Sequence, residues 1–176
     1  MPTFTQTGTG KYDYWLLDGG KTFSTIPADT LPSISTDMPI RLQIGDGYFG
    51  STHITARHGK WLERYQPDGC VATFVHKKLS TSGKILLLEE KNKIGLALTL
   101  TPNAALILRN IGDFFSITTL YYKKSGLGGE EVGRYTGYKW ATSPYIERRR
   151  EFLKSGSDKD WIMPISNKIT SSFIST

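Results

Sequence analysis

The sequence has a single cysteine, Cys70, and this scarcity excludes two kinds of stabilising site. One thiol cannot form an intrachain disulfide, and a zinc site built from several cysteines cannot form either. The three histidines have no further ligand at a recognisable spacing, so we expect no metal and no cofactor. Stability must come from packing of the apolar residues, which make up 38% of the chain.

Long apolar runs are also missing. No stretch approaches the roughly 18 apolar residues of a membrane span, and the N-terminus lacks the apolar segment of a signal peptide. We therefore expect a cytoplasmic protein with no membrane partner. If the protein is delivered to another cell, it is expected to act in that target cell's cytosol, and association with a virion is the second expectation.

Acidic residues are outnumbered by basic ones, 16 to 22, which gives a net charge of +6 and a pI near 9.4. This balance favours anionic partners such as nucleic acid or an acidic protein. The ordinary alternative is that many small proteins are mildly basic without functional consequence.

The 176 residues suffice for one domain with extensions. Residues 1–39 are rich in Thr, Ser, Gly and Pro, and the prolines forbid helix continuation, so an extended N-terminal connector is predicted there. Residues 40–125 are the predicted core. Residues 126–176 are the predicted C-terminal extension, with a basic helix over PYIERRREFLKSG and a Ser/Thr-rich tail.

Two short helices are predicted in the first half of the core. One covers STHITARHGKWLERY, with Ser51 or Thr52 as its N-cap and Gly59 as a stop or break, and the other covers CVATFVHKKL. Four apolar runs separated by short turns follow from Lys84 to Tyr122, which indicates an antiparallel β-meander. The predicted fold class is α+β, with short N-terminal helices packed on a four-stranded antiparallel β-meander.

A candidate catalytic group lies in the first helix, where His53, Arg57 and His58 share one six-residue window. RNA cleavage without a metal needs a base for the 2′-hydroxyl proton, an acid for the leaving oxygen and cations for the phosphate. Histidine suits both proton roles near neutral pH, and arginine holds phosphate through its forked donors.

Helix geometry limits this group. His53 and Arg57 are four residues apart and share a face, whereas His58 is turned away from His53. Both histidines can serve one site only if the helix loosens before Gly59. A single histidine is also more often a surface or capping residue than a catalytic one.

The last apolar run, from Asp113 to Tyr122, mixes hydroxyl-bearing and apolar side chains, so one strand face can offer hydroxyls to a phosphate. Ordinary strand formation explains the same composition, because threonine and tyrosine are strong strand formers. Cationic and aromatic side chains elsewhere are candidates for holding the substrate. They are Lys60, Lys84, Lys93, Tyr122, Lys123, Arg148 and Arg149.

The order of these motifs carries a family resemblance. GYFGSTHITARHG, a helix from Asp68 to Leu79 and a meander ending in FFSITTLYY together resemble the phage-associated members of the barnase, EndoU, colicin and RelE-like (BECR) nuclease group. In that group a signature that begins with His-Ile and ends with [Arg/Lys]-His-Gly opens the domain, and a threonine-containing final strand closes the active site. The resemblance covers residues 45–123, about half of the chain.

Carried over by position, the resemblance implies a catalytic set in two parts. The signature is matched by His53, Arg57 and His58, and the closing strand by Thr119 and Tyr121. The chain departs from the group in having no unambiguous catalytic lysine in the meander. Lys84, Lys91 and Lys93 are all candidates.

The function expected from the resemblance is a metal-independent endoribonuclease of toxin or effector type that cleaves RNA by attack of the 2′-hydroxyl. The expected partners are RNA, with tRNA as one candidate, and an immunity protein or phage or particle proteins. The alternative is a non-enzymatic phage or particle component that binds nucleic acid or neighbouring subunits. A third interpretation is a binding module that keeps the nuclease fold without activity.

Overall fold

The computed structural model describes residues 1–88, 93–98, 103–122 and 127–137, all within one unit, Met1–Ser143. The predicted C-terminal helix, with Arg148 and Arg149, lies outside the described residues, as do the Ser/Thr-rich tail and Lys123. The predicted boundaries at residues 39 and 125 stay predictions.

Nine strands and two helices make up the described part of the chain. The helices are α1 (Gly50–Leu62) and α2 (Val71–Leu79). The strands are β1 (Phe4–Gln6), β2 (Trp15–Leu17), β3 (Thr22–Ile26), β4 (Met38–Arg41), β5 (Gly83–Leu87), β6 (Lys93–Leu98), β7 (Ala105–Asn110), β8 (Phe115–Tyr121) and β9 (Glu130–Tyr135).

The fold is α+β, but the predicted arrangement of N-terminal helices on a four-stranded meander is wrong. The main sheet has seven strands in the order β3-β4-β8-β7-β6-β5-β9, and β1 and β2 form a separate two-stranded sheet. The sheet is mixed, because β4 runs parallel to β8, with Ile40 opposite Phe115. Four strands also precede α1 in the chain, so the helices are not N-terminal.

The error has a physical cause in residues 1–39. Proline removes one backbone donor and forbids helix, yet it is tolerated in strands where its nitrogen need not donate. Pro39 lies within β4 opposite Thr25 of β3, and the segment predicted as a connector supplies β1, β2, β3 and the start of β4. The four predicted runs of the meander do form β5 to β8, as antiparallel neighbours inside the larger sheet.

The two ends of the sheet approach each other, so the sheet is curled. Ser24 of β3 is hydrogen-bonded to the hydroxyl of Tyr135 in β9, and both side chains are buried. The Tyr135 hydroxyl donates to the carbonyl of Leu79 at the end of α2, at 2.7 Å. Because a phenol has one proton, the Ser24 hydroxyl must donate to Tyr135. One tyrosine therefore ties both edges of the sheet to a helix.

The core lies between one face of the sheet and the helices. Ile40, Leu106 and Ile117 are buried on that face, and α1 packs against β8 through Ile54 and other apolar residues. The α1 helix runs through Gly59 without the predicted break, and its N-cap is Phe49 instead of Ser51 or Thr52.

Replacing Gly59 with alanine is expected to stabilise the fold. A Cβ built at Gly59 has no heavy atom within 4 Å apart from its chain neighbours and the backbone of its own helix, and the residue lies inside α1. Alanine is better than glycine in a helix by about 0.5–1 kcal/mol, since glycine loses more backbone freedom on folding. Chemical denaturation of Gly59→Ala should show a rise of this size, whereas a loss of stability would mean that the helix is broken there.

Candidate functional site

The turn from β4 into α1 depends on two glycines. Gly45 and Gly50 both have positive φ, +75° and +79°, and their backbones are in close approach. A Cβ at Gly45 would lie 1.8 Å from the Phe49 carbonyl oxygen, and one at Gly50 would lie 2.7 Å from that of Gln43. Only glycine fits either position. The turn they permit presents the Gly47 carbonyl to the first turn of α1.

His53 is fixed by that carbonyl. Its Nδ1 lies 2.7 Å from the Gly47 oxygen, and the side chain is only 7% exposed. A carbonyl can only accept, so Nδ1 must carry the proton. In the neutral ring, Nε2 then has the free electron pair and is the basic nitrogen. Within the described residues Nε2 has no hydrogen-bond partner. This arrangement is suited to a general base.

Two cations follow His53 on the same face of α1. Arg57 and Lys60 are four and seven residues further on, which is the spacing of one helix face. Both side chains are exposed, and neither forms an ion pair within the part of the chain that the structure describes. We call His53, Arg57 and Lys60 the α1 stripe. It places unpaired positive charge beside an oriented imidazole.

His58 lies on a different face of α1. Five residues correspond to about 140° around a regular helix, and the helix does not loosen between the two histidines. The His58 ring packs edge-on against Tyr122 at 5.5 Å, and Trp61 stacks on the same tyrosine at 4.7 Å. Its Nδ1 is buried and has no hydrogen-bond partner among the described residues. The structure thus brings His58 to Tyr122 instead of to His53.

Burial lowers the pKa of His58 below its ordinary value of 6.5, and the charges of His53 and Arg57 lower it further. The folded state therefore holds fewer protons than the unfolded chain as the pH falls through 6.5. The free energy of unfolding should decrease between about pH 7 and 5, and His58→Leu should weaken this dependence. Denaturation at both pH values tests this.

The burial of His76 lowers its pKa as well, so some acid sensitivity should persist in His58→Leu. A pH dependence as steep as that of the wild type would contradict the assignment to His58.

Thr119 and Tyr121 lie on the face of β8 that is turned away from α1. Neighbouring residues of a strand point to opposite faces, and the Tyr122 ring contacts Trp61 of α1, so Tyr121 points the other way. A β-bulge at Thr118 shifts the alternation, because Ile117 and Thr119 pair with consecutive residues of β7. The sheet therefore separates the two expected halves of the catalytic set.

Two of the three candidate lysines of the meander, Lys84 and Lys93, are on this outer face too, and Lys91 lies outside the described residues. Lys84 forms an ion pair with Glu131 at 2.7 Å, and both line a cavity of 330 Å³ together with Tyr121. Lys93 lies opposite Arg109 in the β6–β7 ladder. These residues form a second group, distinct from the α1 stripe.

Sequence reasoning missed the Gly47 carbonyl. Every residue has a backbone carbonyl, so the pattern of side chains does not show which one contacts His53. It also missed Gln43, a 7% exposed polar residue that accepts a hydrogen bond from Ser116 at 2.7 Å. The alternation of Ile40, Leu42 and Ile44 was a usable signal, since it places Gln43 on the opposite side from the core.

Among the described residues, no group of three or more His, Cys, Asp or Glu side chains is arranged to hold an ion. No helix of the described part is long and apolar enough to cross a membrane. The chain matches no family model, no curated protein and no solved structure.

Proposed function

We propose that this protein is a metal-independent endoribonuclease that binds the RNA backbone on the α1 stripe and uses His53 as its base. The observation that carries the proposal is the contact between His53 Nδ1 and the Gly47 carbonyl, which leaves Nε2 as the basic nitrogen. Such a contact to a backbone carbonyl is the usual way in which a protein orients a working imidazole.

In the proposed reaction, His53 Nε2 takes the proton of a 2′-hydroxyl, and the oxygen attacks the neighbouring phosphorus. The bond from phosphorus to the 5′-oxygen breaks, the leaving 5′-oxygen takes a proton from solvent water, and the RNA strand ends in a 2′,3′-cyclic phosphate. The proton taken up by His53 returns to solvent. Arg57, one helix turn away, holds the phosphate oxygens and offsets the charge that builds on them. His58 has no part in this step, because it lies on another face of the helix.

The net charge of +6 supports an RNA substrate, since the phosphate backbone supplies much of the affinity in such complexes. We also propose that the chain is a member of the BECR nuclease group. The signature residues His53 and Arg57 then have the chemical roles, while His58 packs the helix onto Tyr122. The proposed site of action is the cytosol of a target cell.

The test is cleavage of total RNA by the purified protein in EDTA, with a metal-independent ribonuclease as the positive control. The proposal expects EDTA-resistant cleavage and cyclic phosphate ends. Intact RNA under conditions in which the control enzyme works would refute it.

A second candidate is a non-enzymatic phage or particle component that binds nucleic acid. The observation in its favour is that His53 is only 7% exposed while Arg57 and Lys60 are exposed, so the stripe can hold phosphates without chemistry. Expression in bacteria separates the two. Toxicity that His53→Asn abolishes favours the nuclease, whereas RNA binding with equal growth of both strains favours the particle component.

Both candidates predict that the α1 stripe contributes to salt-dependent RNA binding. For single-stranded nucleic acid, each phosphate contact adds about 0.7 to the slope of log K against log salt. The double variant Arg57→Ala/Lys60→Ala should therefore lower the slope by about 1 to 2. Filter binding at several salt concentrations measures it. Arg134→Ala, which removes an exposed cation from β9, is the matched control and should leave the slope unchanged.

A further inference from the structure

A cavity of 470 Å³ opens on the outer face of the sheet, beside the β1–β2 hairpin, and we call it the aromatic cavity. Four of its lining residues are aromatic and come from three parts of the chain. They are Tyr12, Tyr14, Phe49 and Phe114. Tyr14 packs edge-on against Phe114 at 6.0 Å, and Tyr12 lies 6.4 Å from Phe49. Tyr12 is 66% exposed, so part of this aromatic surface is open to a ligand.

Cations surround these rings. Lys11 lies over Tyr12, Lys21 over Tyr14 and Arg41 over Phe114, each within 5 Å of the ring centre. Arg109 lines the cavity directly. Asp46 is near Lys11 at 4.0 Å, but neither Arg41 nor Arg109 has a carboxylate partner among the residues that the structure describes. The cavity therefore joins flat apolar walls to uncompensated positive charge.

A buried polar group also faces the cavity. Gln43 lines it and is 93% buried, and its Oε1 accepts the hydrogen bond of Ser116. The Gln43 amide nitrogen has two donors, and no residue in the described ranges accepts from them. This nitrogen is not among the fully buried atoms that have no partner, so a ligand or water in the cavity can accept from it. Thr118, the bulged residue of β8, adds a hydroxyl to the same wall.

We propose that the aromatic cavity binds one nucleotide, with the base stacked among the aromatic rings and the phosphate held by Arg109 and Arg41. A base has flat faces for stacking and carbonyl or ring-nitrogen acceptors for Gln43. Its phosphate matches the unpaired guanidinium groups. An apolar ligand would not use the guanidinium groups or the Gln43 amide, and an inorganic anion would not use the aromatic rings.

The nucleotide has two possible sources, a free mononucleotide or an unpaired residue of an RNA strand. The second source rests on the proposed function, since it makes the cavity a subsite of the RNA that the α1 stripe holds. The first source does not depend on that function.

The test is calorimetric titration of the full chain with each of the four ribonucleoside 5′-monophosphates, with ribose 5-phosphate and inorganic phosphate as probes without a base. At least one monophosphate should bind with a Kd below about 1 mM, and the probes should bind at least tenfold more weakly. Tyr12→Ala and Arg109→Ala change exposed side chains and should each weaken binding by about tenfold. Arg134→Ala, which removes an exposed cation of β9 that does not line the aromatic cavity, is the control and should change nothing.

The same variants titrated with a single-stranded RNA identify the source. If their RNA affinity falls as well, the cavity holds an unpaired nucleotide of the strand, and if only mononucleotide affinity falls, it holds a free nucleotide. No monophosphate binding at about 1 mM, or binding that both variants leave unchanged, overturns the inference. RNA cleavage without mononucleotide binding refutes the cavity alone. Mononucleotide binding without RNA binding supports the cavity and refutes the proposed function.

Discussion

His53→Asn should lower the rate of RNA cleavage by at least about 100-fold, because general base catalysis contributes 10²–10⁴-fold in enzymes. Asparagine is the informative replacement here. Its amide nitrogen occupies nearly the position of Nδ1 and can still donate to the Gly47 carbonyl at the start of α1. The variant thus keeps the structural contact and removes only the basic nitrogen. Rates should be compared in EDTA at saturating RNA.

His58→Asn is the matched control for this experiment. His58 packs on Tyr122 and faces away from His53, so its replacement should leave most of the cleavage rate intact. If His58→Asn is inactive while His53→Asn retains activity and both proteins are folded, the assignment of the base to His53 is wrong.

Gly45→Ala should destabilise the protein by about 3 kcal/mol or more. The left-handed backbone at Gly45 costs an alanine about 1–3 kcal/mol, and the new Cβ would also meet the Phe49 carbonyl at 1.8 Å. If the Phe49 carbonyl moved to relieve that clash, it would lose the hydrogen bond that it accepts from the Asp46 amide. Such a hydrogen bond is worth about 1 kcal/mol. For a chain of this length the melting temperature should fall by roughly 10 °C.

The same change should reduce RNA cleavage at temperatures where the variant is still folded, because a displaced turn moves the Gly47 carbonyl away from His53. Gly47→Ala is the control, since a Cβ there meets nothing within 4 Å and the residue does not have a positive φ. Thermal melts of the two variants should therefore differ widely. If Gly45→Ala has the same melting temperature as the wild type, the backbone at Gly45 does not lie in close contact with the Phe49 carbonyl.

Patterns over a few consecutive residues predicted the helices and strands that such patterns determine. The apolar runs located β5 to β8, and the helical spacing of apolar residues in CVATFVHKKL located α2. Cap-forming residues indicated α1, although its N-cap is Phe49. The parallel pairing of β4 with β8 could not be predicted this way, because Ile40 and Phe115 are 75 residues apart and nothing local specifies their contact. The same limit applies to the closure of the sheet through Ser24 and Tyr135.

The candidate site was predictable to a similar extent. Helix geometry correctly placed His53 beside Arg57 and turned His58 away. The face of Thr119 and Tyr121 was not predictable, because one extra residue at Thr118 reverses the alternation for the rest of β8. The orientation of His53 could not be predicted either. It depends on the Gly47 carbonyl, whose position is set by the turn between Gly45 and Gly50.

The most direct measurement of the central claim compares two RNA oligonucleotides in EDTA that differ only at the scissile nucleotide, one with a 2′-hydroxyl and the other with a 2′-O-methyl group. The account predicts that the wild-type protein cleaves the first to a 2′,3′-cyclic phosphate end and leaves the second intact. Cleavage of both strands, or of neither, would contradict the assignment of His53 as the base that activates the 2′-hydroxyl.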